Sequence, residues 1–274
     1  MSDFSHDWLA LREPADRLAR DPGLLDAAVE YLRAGREPAV TDLGCGTGST
    51  LRTMASRLPA TQRWRLVDHS PALLDRALES LPPEAGRDRV EAVVADLDRD
   101  LERVLAEPAA LVTLSAFLDL VSLAWIDRLA REAARLRAGV YAALNYDGRS
   151  GCEPFDALDP QVLEAFNAHQ RRDKGLGSAL GPRAAEVAAE SLRSAGFEVQ
   201  VARADWRVDP DMAELQRQLL AGWVAAVAET GRVDARALAG WHERRLGQIE
   251  RKTLRLVVGH LDVLALPAAH AASR

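Results

Sequence analysis

Residues 39–51, AVTDLGCGTGSTL, set three glycines at alternate positions, Gly44, Gly46 and Gly48. They lie between an apolar entry (Ala39, Val40, Leu43) and a segment with helical apolar spacing (Leu51, Met54, Ala55, Leu58). The pattern predicts a strand, a tight turn and a helix, with Ser49 and Thr50 near the helix start. Glycine tolerates positive φ and has no Cβ, so a ligand can lie against such a turn. Unpaired amides at the helix start then face polar or anionic ligand groups. The spacing narrows the ligand. A dinucleotide turn of the form G-x-G-x-x-G requires glycine at position 49, where this chain has Ser49. Asp42, two residues before the first glycine, would repel a pyrophosphate and attract an ammonium group.

Strand and helix patterns alternate beyond the turn. Arg63 to Asp68 reads as a second strand ending in an acid, followed by a helix that Ser70 caps and Pro71 opens. Arg89 to Val94 reads as a third strand, leading to Ala95, Asp96 and Leu97. Ala110 to Ser115 reads as a fourth, leading to Ala116, Phe117, Leu118 and Asp119. A helix over 122–136 and a fifth strand, Val140 to Leu144, follow, the strand ending at Asn145 and Tyr146. This alternation predicts a doubly wound α/β domain. Pro182 to Ala195 is a helix, Phe197 to Val201 the sixth strand, and Leu254 to Val258 the start of a last strand that extends toward Leu266.

At this point the chain resembles the class I S-adenosylmethionine-dependent methyltransferases, whose first motif has the form acid-x-G-x-G-x-G. Here it is Asp42-Leu43-Gly44-Cys45-Gly46-Thr47-Gly48. The resemblance covers residues 38–145 well and 182–266 in outline. It implies a Rossmann-like sheet of seven strands in the order 3-2-1-4-5-7-6, the last antiparallel, and S-adenosylmethionine as cofactor. It gives Asp68, with His69 beside it, the ribose hydroxyls, and Asp96 and Leu97 the adenine. Asp42 and the turn residues Gly44, Cys45, Gly46 and Gly48 fall to the methionyl end, with Ser115 and Ala116 meeting it through their backbone.

The implied reaction is transfer of the sulfonium methyl to an oxygen, nitrogen or sulfur nucleophile on a small molecule, leaving S-adenosylhomocysteine. An oxygen acceptor calls for a base, and His169 is the first candidate, Asp119 the second. Phe117, Asn145 and Tyr146 are expected to border the acceptor. Arg12, Arg17, Arg172 and Lys174 hint that it is anionic. A nicotinamide oxidoreductase is disfavoured by Ser49. An aminopropyl transferase would carry a first motif richer in glycine and acid. A partner protein that keeps the fold without catalysis stays open, though such a chain would often lose one of Asp42, Gly46, Asp68 or Asp96.

Three regions lie outside the common core. Residues 1–37 read as helices able to cross the ligand mouth, residues 147–181 as a polar insertion with a helix over 160–172, and residues 209–252 as two amphipathic helices. The two insertions read as cap segments on a domain spanning 38–266, and residues 267–274 as a flexible tail. Trp8, Trp206, Trp223 and Trp241 fall in the added regions, as core packing or as an aromatic cover.

Composition bounds the setting. The 274 residues carry a formal net charge of −6, which argues against nucleic acid as the partner. Two cysteines, Cys45 and Cys152, make neither a disulfide framework nor a zinc site, and six scattered histidines suggest no metal. The most apolar stretch, 109–126, is broken by Thr113, Ser115, Asp119 and Ser122, so no membrane span is expected. A cytoplasmic setting is the expectation, and oligomeric state is left open.

Overall fold

The computed structural model describes residues 5–35, 38–173 and 175–268. Two helices, α1 (His6–Ala19) and α2 (Pro22–Arg33), precede the first strand, β1 (Ala39–Leu43). Then come α3 (Ser49–Met54), β2 (Arg63–Asp68), α4 (Pro71–Glu79), β3 (Val90–Val94), α5 (Leu101–Val104), β4 (Leu111–Ser115) and α6 (Leu123–Leu136). The second half holds β5 (Gly139–Glu153), α7 (Asp159–Gln170), α8 (Ala184–Ser194), β6 (Phe197–Arg203), β7 (Trp206–Val208), α9 (Ala213–Thr230), α10 (Ala235–Glu250) and β8 (Arg255–Pro267).

The strands form one sheet in the order β3-β2-β1-β4-β5-β8-β6. The first five are parallel, and β8 runs antiparallel between β5 and β6. This is the expected order, with β8 as the seventh strand of the resemblance and β7 a short addition paired to β8. Parallel strands need cover on both faces, and the side chains divide with the strand period of two. Tyr141, Ala143 and Leu264 join one core with α2 and α3, whereas Val140, Ala142 and Val263 join the other with α6 and α8.

The chain departs from the sequence reading at β5. The strand was expected to stop at Leu144, with an insertion from 147, but pairing with β8 continues to Glu153. Two register shifts, between Ala142 and Asn145 and between Tyr146 and Ser150, absorb extra residues. Leu144 at φ 57° and Gly148 at φ 86° make the bends. The segment therefore starts as a long twisted ribbon that carries β5, β8 and β7 beyond the sheet edge.

The added helices sit on that ribbon. α9 packs against α7, α10 and α1. Arg245 of α10 is fully buried; it bonds Asp159 at the start of α7, donates to the Pro154 carbonyl (2.6 Å) and stacks on Trp241. Trp241 in turn donates to Asp159 (2.8 Å). A buried guanidinium held by a carboxylate, a carbonyl and an indole fixes α7 relative to α10.

Candidate functional site

The C-terminal ends of β1, β2 and β4 open onto a crevice roofed by α1. Leu9 and Arg12 of α1 face the turn residues Gly44, Cys45, Gly46 and Thr47, with Asp68, His69, Leu97, Ser115, Ala116 and Phe117 completing the walls. The turn is tied to the neighbouring strand by Asp68. Its Oδ2 accepts from the Gly46 amide (2.9 Å) and its Oδ1 from the Ser70 amide (3.0 Å), and His69 Nδ1 lies 3.2 Å from it. Among the described residues Oδ2 has the Gly46 amide alone against it, so its second lone pair lets Asp68 hold the turn and still accept from a ligand hydroxyl.

Gly44 is constrained twice. Its φ is +64°, and a Cβ there would sit 2.6 Å from the Phe117 ring. Phe117 lies across the turn and packs on Trp125 with ring centroids 5.4 Å apart. It thus walls the crevice rather than the acceptor region. Gly44→Ala is expected to lower stability by about 1–3 kcal/mol, combining backbone strain with displacement of the ring. An unchanged urea midpoint would refute that account. Gly48, at φ +83°, begins α3 and lies against Ala77 of α4, so it serves the turn and not the crevice wall.

Beneath the crevice floor lies a buried charge cluster. Asp42 accepts from the Thr113 hydroxyl (2.6 Å), and its other oxygen has no partner among the described residues. Burial pushes its carboxyl up to about 7; Thr113 and Arg20 oppose the rise and Asp68 adds to it. Arg20, just past α1, donates to Ser115 Oγ (3.0 Å) and reaches Thr50 Oγ1 (3.4 Å), while its Nε and Nη1 are buried with no hydrogen-bond partner among the described residues. Burial works against its charge, but Tyr141, Asp262 and Asp16 outweigh that cost. Asp262 of β8 ties the cluster to the fold by accepting from Tyr141 (3.1 Å), the Leu144 amide (2.7 Å) and the Asp21 amide (3.0 Å). The sequence reading missed Arg20 and Asp262. Helical periodicity in 6–33 says nothing about Arg20, whose hydrogen-bond partners, Thr50 and Ser115, lie beyond the first strand.

A second cavity, of about 600 Å³, adjoins the crevice and shares Arg12, Ala116 and Leu120 with it as walls. Asp119, Tyr146 and His169 line it. His169 Nε2 lies 3.0 Å from Glu229, and its buried Nδ1 has no partner among the described residues. Arg172 holds the same Glu229 (3.3 Å to the carboxylate, 3.0 Å to its carbonyl), so it steadies His169 from outside the cavity. Tyr146 donates to Asn167 (2.8 Å). His260 is buried on the far wall and stays neutral, burial and then Arg12 pulling it down to about 3.

Other sequence candidates lie elsewhere. Asn145 is buried within the sheet, its amide donating to the Ala142 and Leu261 carbonyls (2.9 Å each) across the β5 bulge. Arg17 sits on the outer side of α1, 3.7 Å from Glu13. Asp96 caps its own loop by accepting from the Asp98 amide (3.0 Å) and is half exposed, while its neighbour Leu97 lines the crevice. Lys174 falls outside the described residues. Among the described residues no cluster of His, Cys, Asp and Glu has a metal-holding arrangement, and no helix is long and apolar enough to cross a membrane.

The sheet order, the alternating glycines and the acids at successive strand ends are those that the resemblance to class I S-adenosylmethionine-dependent methyltransferases implies. Residues 40–138 match a family model described as a methyltransferase domain. Over 161 residues the chain is 36% identical to the trans-aconitate 2-methyltransferase of Streptomyces avermitilis, covering 58% of this chain and 52% of that protein. The chain thus spans about half the length of the curated relative it matches. Two solved structures share the fold. One is the cyclopropane synthase MmaA2 from Mycobacterium tuberculosis (TM-score 0.51, 13% identity, 96% of this chain and 95% of that one). The other is a cyclopropane-fatty-acyl-phospholipid synthase-like protein from Lactobacillus casei (TM-score 0.52, 14% identity, 93% and 99%).

Proposed function

We propose that this protein transfers the methyl group of S-adenosylmethionine to a small-molecule nucleophile. The observation that carries this reading is the pair of unsatisfied charges under the crevice floor. The unpartnered oxygen of Asp42 suits an ammonium, and the two unpartnered nitrogens of Arg20, behind the Ser115 and Thr50 hydroxyls, suit a carboxylate. Unpaired buried polar atoms are costly, and the zwitterionic end of an amino-acid-derived cofactor seated on the turn would lie in the field of both charges, across the floor that covers them. Asp68 is then the acceptor for the ribose hydroxyls, and Leu97 and His69 border the nucleoside.

The cofactor supplies an electrophilic methyl on a sulfonium whose thioether leaves uncharged. The chain's own contribution is largely positioning, which can supply much of the acceleration. Ala116 and Leu120 border both cavities, so an acceptor held in the larger one meets the crevice there. If the nucleophile is a hydroxyl, His169 takes its proton. Glu229 engages Nε2, leaving the Nδ1 lone pair as acceptor. Asp119, on the same wall, is the second candidate. The name of the Streptomyces relative makes a small anionic molecule the first acceptor to assay.

Calorimetry with S-adenosylmethionine, S-adenosylhomocysteine and NAD tests the donor. Binding of the first two and not the third is expected; the reverse ends the proposal. Once an acceptor is found, His169→Gln is expected to lower kcat about 100-fold or more for an oxygen nucleophile, with cofactor affinity unchanged. A kcat within twofold of the parent would remove His169 from the reaction.

A further inference from the structure

The larger cavity has a composition that says more about its occupant than its size does. At about 600 Å³ it lies within the range of pockets for drug-sized ligands, roughly 300–1,000 Å³. Its wall is a continuous run of rings. Trp223 packs on Phe166 (5.7 Å between centroids), Phe166 on Tyr146 (5.7 Å), Tyr146 on His260 (6.3 Å) and His260 on Trp206 (5.2 Å). These rings come from β5, α7, β7, α9 and β8, so five separate elements bring aromatic side chains to one surface. Tyr146, Trp206 and Trp223 also belong to the buried core, so each borders the cavity with part of its ring, and Phe166 is half-buried.

The charges of the wall are spent internally. Arg12 is the sole arginine or lysine among the described lining residues. Its Nε and Nη2 both bond Asp16 (3.0 and 3.1 Å), and its guanidinium lies 4.9 Å from the Trp206 ring. Trp206 Nε1 bonds the same Asp16 carboxylate (3.0 Å). The guanidinium is thus paired with a carboxylate and lies over the Trp206 ring at the end of the run. His260 is neutral, and Asp119 and Glu229 add acidic groups beside and behind the wall. Several carboxylates entering here would find one already-paired cation and at least one acid, with their own hydration lost.

We propose that the methyl acceptor is a flat, multi-ring aromatic molecule carrying no more than one negative charge. The class follows from the wall: planar rings gain stacked and edge-to-face contacts from aromatic side chains beyond the gain from buried area alone, and a paired guanidinium stacks in the same way. A flexible aliphatic chain gains only the area term and loses rotamer freedom. The proposal rests on the methyl-transfer reading of the adjoining crevice for the word acceptor, but the ring preference of the cavity stands on its own geometry.

Calorimetry on the full chain, with and without saturating S-adenosylhomocysteine, separates the two. The probes are 2-naphthol, 1-decanol and trans-aconitate. Expected is 2-naphthol binding at least tenfold tighter than either of the others, and a three- to tenfold loss in Phe166→Leu, which keeps apolar volume and removes a ring. S-adenosylhomocysteine affinity should be unchanged in that variant, which also reports that it is folded. Trans-aconitate or decanol binding as tightly as 2-naphthol overturns the proposal, as does failure of 2-naphthol to bind at millimolar concentration. Binding of 2-naphthol without binding of S-adenosylhomocysteine would sink the methyl-transfer reading and leave the ring preference in place.

Discussion

Arg20→Met is expected to weaken S-adenosylmethionine binding by about 30- to 100-fold and to cost the cofactor-free protein on the order of 2–4 kcal/mol. The two effects have one origin. Arg20 is buried between Asp42 and Asp262, and it holds down the proton affinity of both. Removing it takes away the cation whose field lowers the proton affinity of both buried carboxyls, and a buried carboxylate without a compensating charge is costly. Its loss also strips the floor beneath Ser115 and Thr50 of the charge that a carboxylate would meet. Calorimetry and urea denaturation read the two effects separately. Arg20→Lys should recover much of the stability, since charge returns, and less of the affinity, since the fork does not. Cofactor affinity within threefold of the parent in Arg20→Met would show that the carboxylate is held elsewhere.

Arg20 also marks where the sequence stops being legible. The glycine turn and the acids Asp42 and Asp68 can be read directly, because strand alternation, glycine spacing and strand-end position are all local patterns. Their roles in the turn depend on contacts only one strand away, such as Asp68 with Gly46. Arg20, by contrast, reads as one more cation near a helix end. Its charge is sustained by the field of Tyr141 and Asp262, and the Asp262 carboxylate takes the Asp21 amide and so fixes the junction between α1 and α2. No local pattern announces such a contact.

The same limit explains the long β5. Asn145-Tyr146-Asp147-Gly148-Arg149-Ser150-Gly151 is rich in turn formers and lacks apolar alternation, so it reads as the start of a loop. It is a strand because β8 pairs with it and because several of its polar groups find local partners. Asn145 spans the bulge, and Arg149 bridges Asp147 and Asp205. Gly259 of β8 allows the crossing, since a Cβ there would collide with Asp147. The consequence for function is direct. The extended ribbon carries Tyr146, Trp206 and His260 out past the crevice, and α9 closes on it with Trp223. Those tryptophans read equally well as core or as cover, and only the ribbon decides between them.

Asp42 makes the second large prediction, that cofactor affinity depends on pH through a group the ligand never exposes to solvent. Without ligand its carboxyl titrates near 7, raised by burial. A bound ammonium favours the carboxylate, so binding selects the deprotonated form and expels a proton from the rest. Affinity is therefore expected to be nearly flat from pH 7.5 to 8 and to fall about tenfold by pH 6. Calorimetry in buffers of differing ionisation enthalpy should find close to one proton released per cofactor at pH 6. The sign for stability runs the other way. A folded pKa raised from the ordinary 3.8 means the native state keeps a proton that the unfolded chain has lost, so this group's contribution declines as pH rises from about 4 to 7. Asp42→Asn keeps an acceptor for Thr113 and mimics the protonated form. It should stabilise the cofactor-free protein at pH 8, by on the order of 2 kcal/mol, while abolishing the fall in affinity between pH 7 and 6 and weakening binding at pH 8 at least tenfold. Thr113, Arg20, Asp68 and Cys45 all face Asp42. A steep pH dependence surviving in Asp42→Asn would move the proton to another group and remove Asp42 from the ammonium site.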